Sequence, residues 1–199
     1  MDNKELIIQL SKIGGIKFGE FTLKNGMVSP IYIDLRILVS YPKVMKQVAK
    51  TYAQLLEGLD FQRMAAVPYS ALPIVAAISA VNEKPWIYTR KEVKDYGTKK
   101  LIEGEYKAGE TIVVVDDMTT DGASKLEVIA PFEKEGLLVK DVVVLLDREQ
   151  GAAKNLADKG YRLHSVITLS EALKVLSEAK IIDKAMLDKV KKFLAANSS

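Results

Sequence analysis

The residues best suited to chemistry form one segment, TIVVVDDMTTDGAS, at positions 111–124. Its apolar run is typical of a buried parallel strand over 111–116, and the residues from Gly122 onwards predict a helix start. The acids and hydroxyls are therefore expected between a strand's carboxyl end and a helix's amino end, where open α/β sheets bind ligands and free N–H groups attract phosphate. Asp116 and Asp117 add carboxylates suited to ribose hydroxyls or to a hard divalent cation.

Two common nucleotide-binding motifs are absent from the sequence. It contains neither G-x-x-x-x-G-K-[ST] nor G-x-G-x-x-G, which argues against a P-loop and against a dinucleotide-binding turn. An acidic strand and turn without function is the simplest alternative, and the two acids alone would not exclude it. The spacing of Thr119, Thr120, Gly122 and Ser124 after them favours a phosphate-binding loop.

A second group of candidates is the charged segment 91–110. From Arg90 to Lys100 the sequence has five positive and two negative residues. A loop of this length is interpreted either as a mobile cationic flap that closes over a polyanion or as a solvated surface excursion. A cation at a strand end and others on a flap suit a ligand with separated phosphates; the cations are Arg90, Lys91, Lys94, Lys99 and Lys100.

Four other side chains could take part in ligand binding, and each also has a purely structural explanation. Lys24 and Tyr32 lie in and after a predicted hairpin turn, and the alternative is a solvated lysine and a core tyrosine. Arg148 follows another apolar strand, so it is expected on the same rim as the two acids, to bind a ligand carboxylate or to pair with its own acidic neighbours. His164, the only histidine, lies in an apolar strand and is predicted to be structural.

The elements that must position these residues alternate along most of the chain. Helices are predicted at 2–13, 42–57, 72–81, 122–135, 151–159, 169–179 and 183–195, and strands at 31–36, 64–67, 86–89, 111–116, 141–146 and 163–167. A hairpin turn is predicted at Asn25–Gly26. Strands alternating with helices predict one α/β domain over 1–199, with a mostly parallel sheet covered on both faces. Residues 1–40 lack this alternation and are predicted to form a cap over the core, 41–199.

The composition excludes several classes of protein. The sequence has no cysteine, which removes disulfide frameworks, thiol nucleophiles and thiolate metal sites. A net charge of +3 is too small to argue for nucleic acid. No apolar run reaches the ~18 residues that span a bilayer, and the N-terminus predicts an amphipathic helix rather than a signal peptide. We therefore expect a soluble cytoplasmic protein with no nucleic-acid or membrane partner.

The pattern V-V-V-D-D-x-T-T-x-G-x-S resembles the phosphoribosyl pyrophosphate (PRPP) motif of type I phosphoribosyltransferases. Further segments extend the resemblance to the orotate phosphoribosyltransferase family: FGEFTLKNG, SPIYIDLR and RKEVKDYGTKKLIEG. Three others are similar above all to the form fused to orotidylate decarboxylase: VPYSALP, VLLDREQG and LHSVITL. The family implies a type I phosphoribosyltransferase fold with an N-terminal hood. It implies conversion of orotate and PRPP into orotidine 5′-monophosphate and pyrophosphate, Mg²⁺ as cofactor, and a homodimer that lends its flap to the neighbouring site.

The resemblance also implies a role for each matched residue. Orotate is expected to contact Lys24, Tyr32, Thr120 and Arg148, with Arg148 on its carboxylate. The catalytic residues are expected to be Arg90, Lys94 and Asp117. PRPP is expected to contact Arg90, Lys91, Lys94, Tyr96, Asp116, Asp117, Met118, Thr119, Thr120, Asp121, Gly122, Ala123 and Ser124. Within that set, Asp116 and Asp117 are expected on the ribose hydroxyls. Mg²⁺ is expected to bind mainly through PRPP, with Asp116 or Asp117 reaching it through water.

Two positions depart from the usual pattern of the family. Tyr96 stands where bacterial members carry a flap histidine. Asp121 stands at a usually small position of the phosphate loop, so it is expected to face away from phosphate or to meet magnesium. The alternatives are a phosphoribosyltransferase for a purine or another base, a non-catalytic regulator that binds PRPP on the same fold, and an α/β domain without catalysis.

Overall fold

A computed structural model describes residues 3–23, 26–90 and 101–196. The α-helices in these ranges are α1 (Asn3–Lys12), α2 (Pro42–Leu56), α3 (Ala71–Asn82), α4 (Ala123–Lys134), α5 (Ala152–Ala157), α6 (Leu169–Glu178) and α7 (Lys184–Ala196). The strands are β1 (Ile16–Thr22), β2 (Val28–Ile33), β3 (Arg63–Ala66), β4 (Trp86–Thr89), β5 (Ile102–Glu103), β6 (Thr111–Thr119), β7 (Leu138–Asp147) and β8 (Arg162–Thr168). No helix in the described ranges is both long and apolar enough to cross a membrane.

The central sheet has six strands in the order β5-β4-β3-β6-β7-β8. All neighbouring strands run parallel except β4 and β5. The apolar runs of β6 and β7, Ile112–Val115 and Val142–Leu146, are at most 1% exposed, because helices cover the sheet on both faces. The predicted α/β architecture with a mostly parallel sheet is therefore confirmed.

The order of the strands reverses between β3 and β6. From β3 the chain moves outward to β4 and β5, then returns to place β6 on the other side of β3 before continuing to β7 and β8. Neighbouring loops leave the sheet in opposite directions at such a switch point and open a crevice at the carboxyl ends of the strands. The topology thus places the segment after β6 at the edge of a natural ligand site.

The N-terminal segment forms a separate two-stranded antiparallel sheet, β1 with β2. The prediction of a strand over 31–36 was wrong at its carboxyl end, because β2 ends at Ile33 and a 3-10 helix follows over Leu35–Ser40. The Asp34 carboxylate accepts a 3.2 Å hydrogen bond from the Arg36 backbone N–H and so caps this helix.

Two further differences from the prediction concern the site. Strand β6 extends to Thr119 rather than ending at 116, because Thr119 still pairs with Asp147 of β7. Part of the charged segment 91–110 forms β5, which pairs antiparallel with β4. Residues 91–100 of the predicted flap, and residue 25 of the predicted hairpin turn with residue 24 before it, lie outside the described residues.

Candidate active site

A first cavity, of about 320 Å³, lies between the N-terminal sheet and the carboxyl ends of the central strands. It brings together four of the predicted site residues: Tyr32, Asp117, Met118 and Arg148. The segment 31–36, Leu23 and Ser70 complete its wall. The first cavity thus combines one acid of the predicted sugar site with the predicted acceptor-binding arginine.

Arg148 is the cation of this cavity that has no acidic partner among the described residues. Its Nε atom is buried and makes no hydrogen bond there. Burial lowers the pKa of Arg148, because desolvation disfavours the charged guanidinium. Its backbone N–H donates to the Thr119 carbonyl at 3.0 Å, which fixes where the side chain begins. An anionic group entering the cavity would therefore find a partly desolvated cation with unused donors.

The acids on either side of Arg148 are bonded elsewhere, so the alternative of an internal ion pair does not hold. Asp147 Oδ1 accepts the Glu149 N–H at 2.8 Å, and burial raises the pKa of Asp147. Glu149 has a left-handed backbone, φ +58°, and its Oε2 accepts the Ser170 N–H at 2.6 Å in the first turn of α6. Both carboxylates hold the backbone of the turn and leave the guanidinium to the cavity.

The opposite wall of the first cavity is built by the N-terminal sheet. Tyr32 stacks on Phe21 with ring centroids 5.4 Å apart. Arg36 also lines the cavity, but it is paired bidentately with Asp34 at 2.7 and 2.9 Å, and this pairing lowers the pKa of Asp34. An aromatic ring, apolar wall residues and a free arginine together suit a flat ring that carries a carboxylate.

The two motif acids have different surroundings. Asp117 lines the first cavity and uses Oδ1 to accept the Met118 N–H at 2.9 Å. Asp116 is turned into the protein and is 4% exposed; its Oδ1 accepts the Asp117 N–H at 2.8 Å and a longer bond from the Ser70 hydroxyl. The Tyr52 hydroxyl donates to the Asp116 carbonyl at 2.6 Å. Burial raises the pKa of Asp116.

The second oxygen of Asp116 is bound by Lys125, a residue for which the sequence predicted no role. Lys125 is 4% exposed, and its Nζ lies 2.5 Å from Asp116 Oδ2. The same ammonium donates to the Met118 carbonyl at 2.6 Å. A signal for its burial is present, because Lys125 precedes Ile129 and Phe132 by four and seven positions, and both are buried.

The predicted phosphate loop is short: Thr120–Gly122 connects β6 to α4. The backbone N–H groups of these three residues have no acceptor among the described residues. Gly122 adopts φ +86°, and a Cβ there would lie 3.3 Å from Leu156 Cγ. Free amides at the start of a helix form an anion-binding position. Thr119, by contrast, is in the strand, and its hydroxyl is buried without a hydrogen-bond partner in the described chain.

Asp121 uses its carboxylate inside this loop. Its Oδ1 accepts the N–H of Ala123, the first residue of α4, at 3.1 Å. Its carbonyl accepts a 2.9 Å hydrogen bond from the Asn155 side chain on α5. Asn155, also missed from the sequence, thus ties the phosphate loop to the element that follows Arg148.

A second cavity, of about 660 Å³, is lined by Arg90 and Ser124 among other residues. Arg90 forms an ion pair with Glu103 of β5. The predicted residues Lys24, Lys91, Lys94 and Tyr96 lie outside the described residues.

The surroundings of His164 and the acidic groups of the structure concern two other kinds of chemistry, histidine catalysis and metal binding. His164 lies on β8 and contacts Asp141 at 2.7 Å, in agreement with its predicted structural role. The described residues contain no group of three or more His, Cys, Asp or Glu side chains able to hold a metal ion.

Comparisons with known proteins agree with this geometry. No family model matches the chain. It is 43% identical to the uridine 5′-monophosphate synthase of Bos taurus over 195 residues, 97% of this chain and 41% of that protein. It is 38% identical to the orotate phosphoribosyltransferase of Methanocaldococcus jannaschii over 172 residues, 86% of this chain and 97% of that protein. The structure of Leishmania donovani UMP synthase superposes with a TM-score of 0.90 at 41% identity, covering 98% of this chain and 43% of that one.

The sheet order, the loop after β6 and these likenesses define a type I phosphoribosyltransferase fold. Within that class, the chain belongs to the orotate phosphoribosyltransferase family. The chain spans about two fifths of the length of the uridine 5′-monophosphate synthase that it matches.

Proposed function

We propose that this chain transfers the 5-phosphoribosyl group from PRPP to orotate, giving orotidine 5′-monophosphate and pyrophosphate in UMP biosynthesis. The observation that carries the proposal is the first cavity, where Arg148 and Asp117 face the same space. In this reaction the ribose C1 loses its bond to the pyrophosphate oxygen and gains a bond to the pyrimidine nitrogen. Arg148 serves the acceptor and Asp117 serves the donor.

On the acceptor side, the guanidinium of Arg148 would bind the orotate carboxylate. The pairing is favourable because Arg148 already lacks an ionic partner in the described chain and is partly desolvated. Tyr32 would cover the pyrimidine ring, and Thr120 and Lys24 would complete the acceptor contacts. Uracil, which has the same ring without the carboxylate, would lose the Arg148 contact.

On the donor side, the 5-phosphate would occupy the free amides of Thr120–Gly122, with the Ser124 hydroxyl beside them. The Asp121 carboxylate points its Oδ1 at the Ala123 N–H in this arrangement, which leaves the amides of Thr120–Gly122 to the phosphate. The ribose hydroxyls would be held by Asp117, which faces the first cavity. Direct contact of Asp116 with the ribose stays a prediction.

The leaving pyrophosphate would be neutralised by cations around the second cavity. Arg90 would exchange Glu103 for the pyrophosphate, and Lys91, Lys94 and Tyr96 would act from the flap. The transition state resembles an oxocarbenium ion, as in other displacements at an anomeric carbon, so negative charge grows on the leaving group. Lys94 is assigned the largest catalytic effect because it would meet that growing charge.

We propose Mg²⁺ as the cofactor, bound mainly through PRPP oxygens. The residues fit this arrangement, because Asp117 offers one carboxylate to the first cavity and no larger acidic group is placed for a metal in the described ranges. When bound, the ion would supply positive charge to the diphosphate. Asp117, the motif acid that lines the first cavity, would reach it through water.

We also propose a homodimer in which each flap closes over the neighbouring site. Mixing Lys94→Ala with Arg148→Ala protein would test the exchange, since a mixed dimer would hold one site with both residues intact. Recovery of activity on mixing supports a shared flap, and no recovery contradicts it. The cysteine-free sequence is compatible with the reducing cytoplasm that we propose as its compartment.

The reaction is tested by following orotate loss by ultraviolet absorbance with PRPP and Mg²⁺ added together or omitted singly. Loss that needs both supports the proposal. Hypoxanthine and adenine serve as alternative acceptors, and consumption of either in preference to orotate would indicate a purine enzyme. PRPP binding without any acceptor consumption would indicate a regulator.

A further inference from the structure

Lys125 is a buried lysine that no predicted step of the reaction uses. It lies in the first turn of α4, directly after the phosphate loop, and is 4% exposed. Its ammonium has three partners, all within the PRPP motif: Asp116 Oδ2 at 2.5 Å, the Met118 carbonyl at 2.6 Å and the Ser124 hydroxyl at 3.2 Å. A buried charge is retained only when it is paired and hydrogen-bonded, and here all of its partners belong to the functional motif.

With Lys125, both carboxylate oxygens of Asp116 have a bonding partner. One oxygen of this carboxylate is held by the Asp117 N–H and, at 3.4 Å, by the Ser70 hydroxyl, and the other is held by Lys125. The side chain is 4% exposed and does not line the first cavity. Asp116 therefore has little capacity left for a sugar hydroxyl.

Asp117 is also buried, at 8% exposed, but it differs from Asp116 in its contact with the ligand space. It lines the first cavity, and the described residues provide a partner for only one of its oxygens, the Met118 N–H on Oδ1. Asp116 is therefore bonded inside the protein, whereas Asp117 faces the cavity that would hold the ligand. Lys125 is the cation that compensates the inward charge.

We propose that Lys125 is a positioning residue for PRPP: it binds Asp116 inside the protein, fixes the turn between Met118 and Ser124, and leaves Asp117 as the one motif carboxylate presented to the sugar. This inference rests on the proposed function. It predicts that Asp116 and Lys125 act as a unit, so that removing both charges harms PRPP binding less than removing either one. A direct ribose ligand at Asp116 would behave differently, because no second substitution could replace its contact.

The test uses four variants of the full chain. Lys125→Met removes the ammonium at similar length, Asp116→Asn removes the carboxylate charge but keeps an acceptor for the Asp117 N–H, and a third variant combines the two. Lys134→Met is the matched control, since it removes an exposed lysine from the last turn of the same helix. PRPP affinity is measured by calorimetry with Mg²⁺, KM is measured separately for PRPP and orotate, and chemical denaturation gives the stability of each variant.

Each single variant is expected to weaken PRPP binding about tenfold or more, because it leaves one buried charge unpaired. The double variant is expected to bind PRPP at least about threefold more tightly than either single variant, as coupled neighbours do. The KM for orotate is expected to change less than the KM for PRPP, because Tyr32 and Arg148 lie outside the turn that Lys125 fixes. Lys134→Met is expected to match the parent in every measurement.

The outcomes separate the inference from the function on which it rests. A double variant as weak as Asp116→Asn would mean that Asp116 touches the sugar, and a Lys125→Met protein with the parent's PRPP affinity would mean that Lys125 only fills space. Either result overturns the inference while leaving the reaction intact. Failure of the parent to bind PRPP overturns the proposed function and the role of Lys125 with it. If Lys125→Met does not fold, the comparison of Asp116→Asn with the double variant decides the question.

Discussion

Replacing Arg148 with alanine tests the acceptor site most directly. The side chain lines the first cavity, and its Nε is buried without a hydrogen-bond partner in the described chain. The orotate carboxylate would therefore make new charge-assisted bonds rather than compete with an internal ion pair. Loss of the guanidinium should raise the KM for orotate while the KM for PRPP changes little.

The size of the expected rise in the orotate KM follows from how deeply Arg148 and the orotate carboxylate would be buried together. Truncating one partner of a buried, hydrogen-bonded charge pair costs about 2–5 kcal/mol. Arg148 is only partly buried, so the lower half of that range applies, about 2–3 kcal/mol after allowance for solvent screening. At about 1.4 kcal/mol per factor of ten, the KM for orotate should rise about 30- to 150-fold.

The assay is the steady-state loss of orotate absorbance at saturating PRPP and Mg²⁺. Arg36→Ala is the matched control, because Arg36 lines the same cavity but is already paired with Asp34. Its effect on the orotate KM should be about threefold or less, as for exposed ion pairs. The stability of Arg148→Ala should stay within about 1 kcal/mol of the parent, since the side chain makes no ion pair in the described chain.

An unchanged KM for orotate in Arg148→Ala would refute the assignment. An equal rise in the orotate KM of the Arg36 and Arg148 variants would also contradict it, because only the arginine without an ionic partner in the described chain is expected to bind the carboxylate. Uracil adds an independent measure, since the parent should prefer orotate over uracil and the variant should lose most of that preference.

Three further predictions concern the phosphate loop, the sheet edge and the flap. Gly122→Ala should lower the free energy of unfolding by about 1–3 kcal/mol, because φ +86° strains an alanine and its Cβ would lie 3.3 Å from Leu156. It should also weaken PRPP binding. Denaturation measures the first effect and calorimetry the second. The pKa of Glu110 is lowered from 4.5 to about 2, first by the Arg63 side chain, so its stabilisation is complete above pH 4.5 and is lost as the pH falls towards 2. Denaturation at pH 6 and pH 2.5 should therefore show a larger difference in the parent than in Arg63→Met, and equal differences would mean that the pair contributes nothing. Lys94→Ala should lower kcat far more than it raises either KM, and equal turnover in variant and parent would remove its catalytic role.

The parts of the fold that follow from apolar runs could be predicted from the sequence. The runs in β6 and β7 predict two buried parallel strands, and these strands do pair with each other in the central sheet. A completely buried apolar run has few alternatives, because only a covered sheet can hide both faces of a strand. Parallel strands end at the same edge of a sheet, so the two runs alone suffice to predict that Asp117 and Arg148 lie on one rim.

The partners of charged side chains could not be predicted in the same way. Arg148 has acidic neighbours on both sides, and only the structure shows that Asp147 and Glu149 bind backbone N–H groups instead. Lys125 has the sequence surroundings of an ordinary solvated helix residue, although its spacing to buried Ile129 indicates the inner face. The partner that a charged side chain binds depends on contacts between distant parts of the chain, which local sequence patterns do not reveal.

The loops proposed to bind the acceptor and the donor are joined by direct hydrogen bonds. The Arg148 N–H donates to the Thr119 carbonyl at 3.0 Å, and the Asn155 side chain donates to the Asp121 carbonyl at 2.9 Å. The turn that would hold orotate and the loop that would hold the 5-phosphate therefore move together. Transfer between two bound molecules depends on their relative placement, and a misplacement of about 1 Å can cost about a hundredfold in rate. Hydrogen bonds between the two loops favour that placement before either substrate arrives, and in the proposed mechanism the flap would exclude water and neutralise the leaving group.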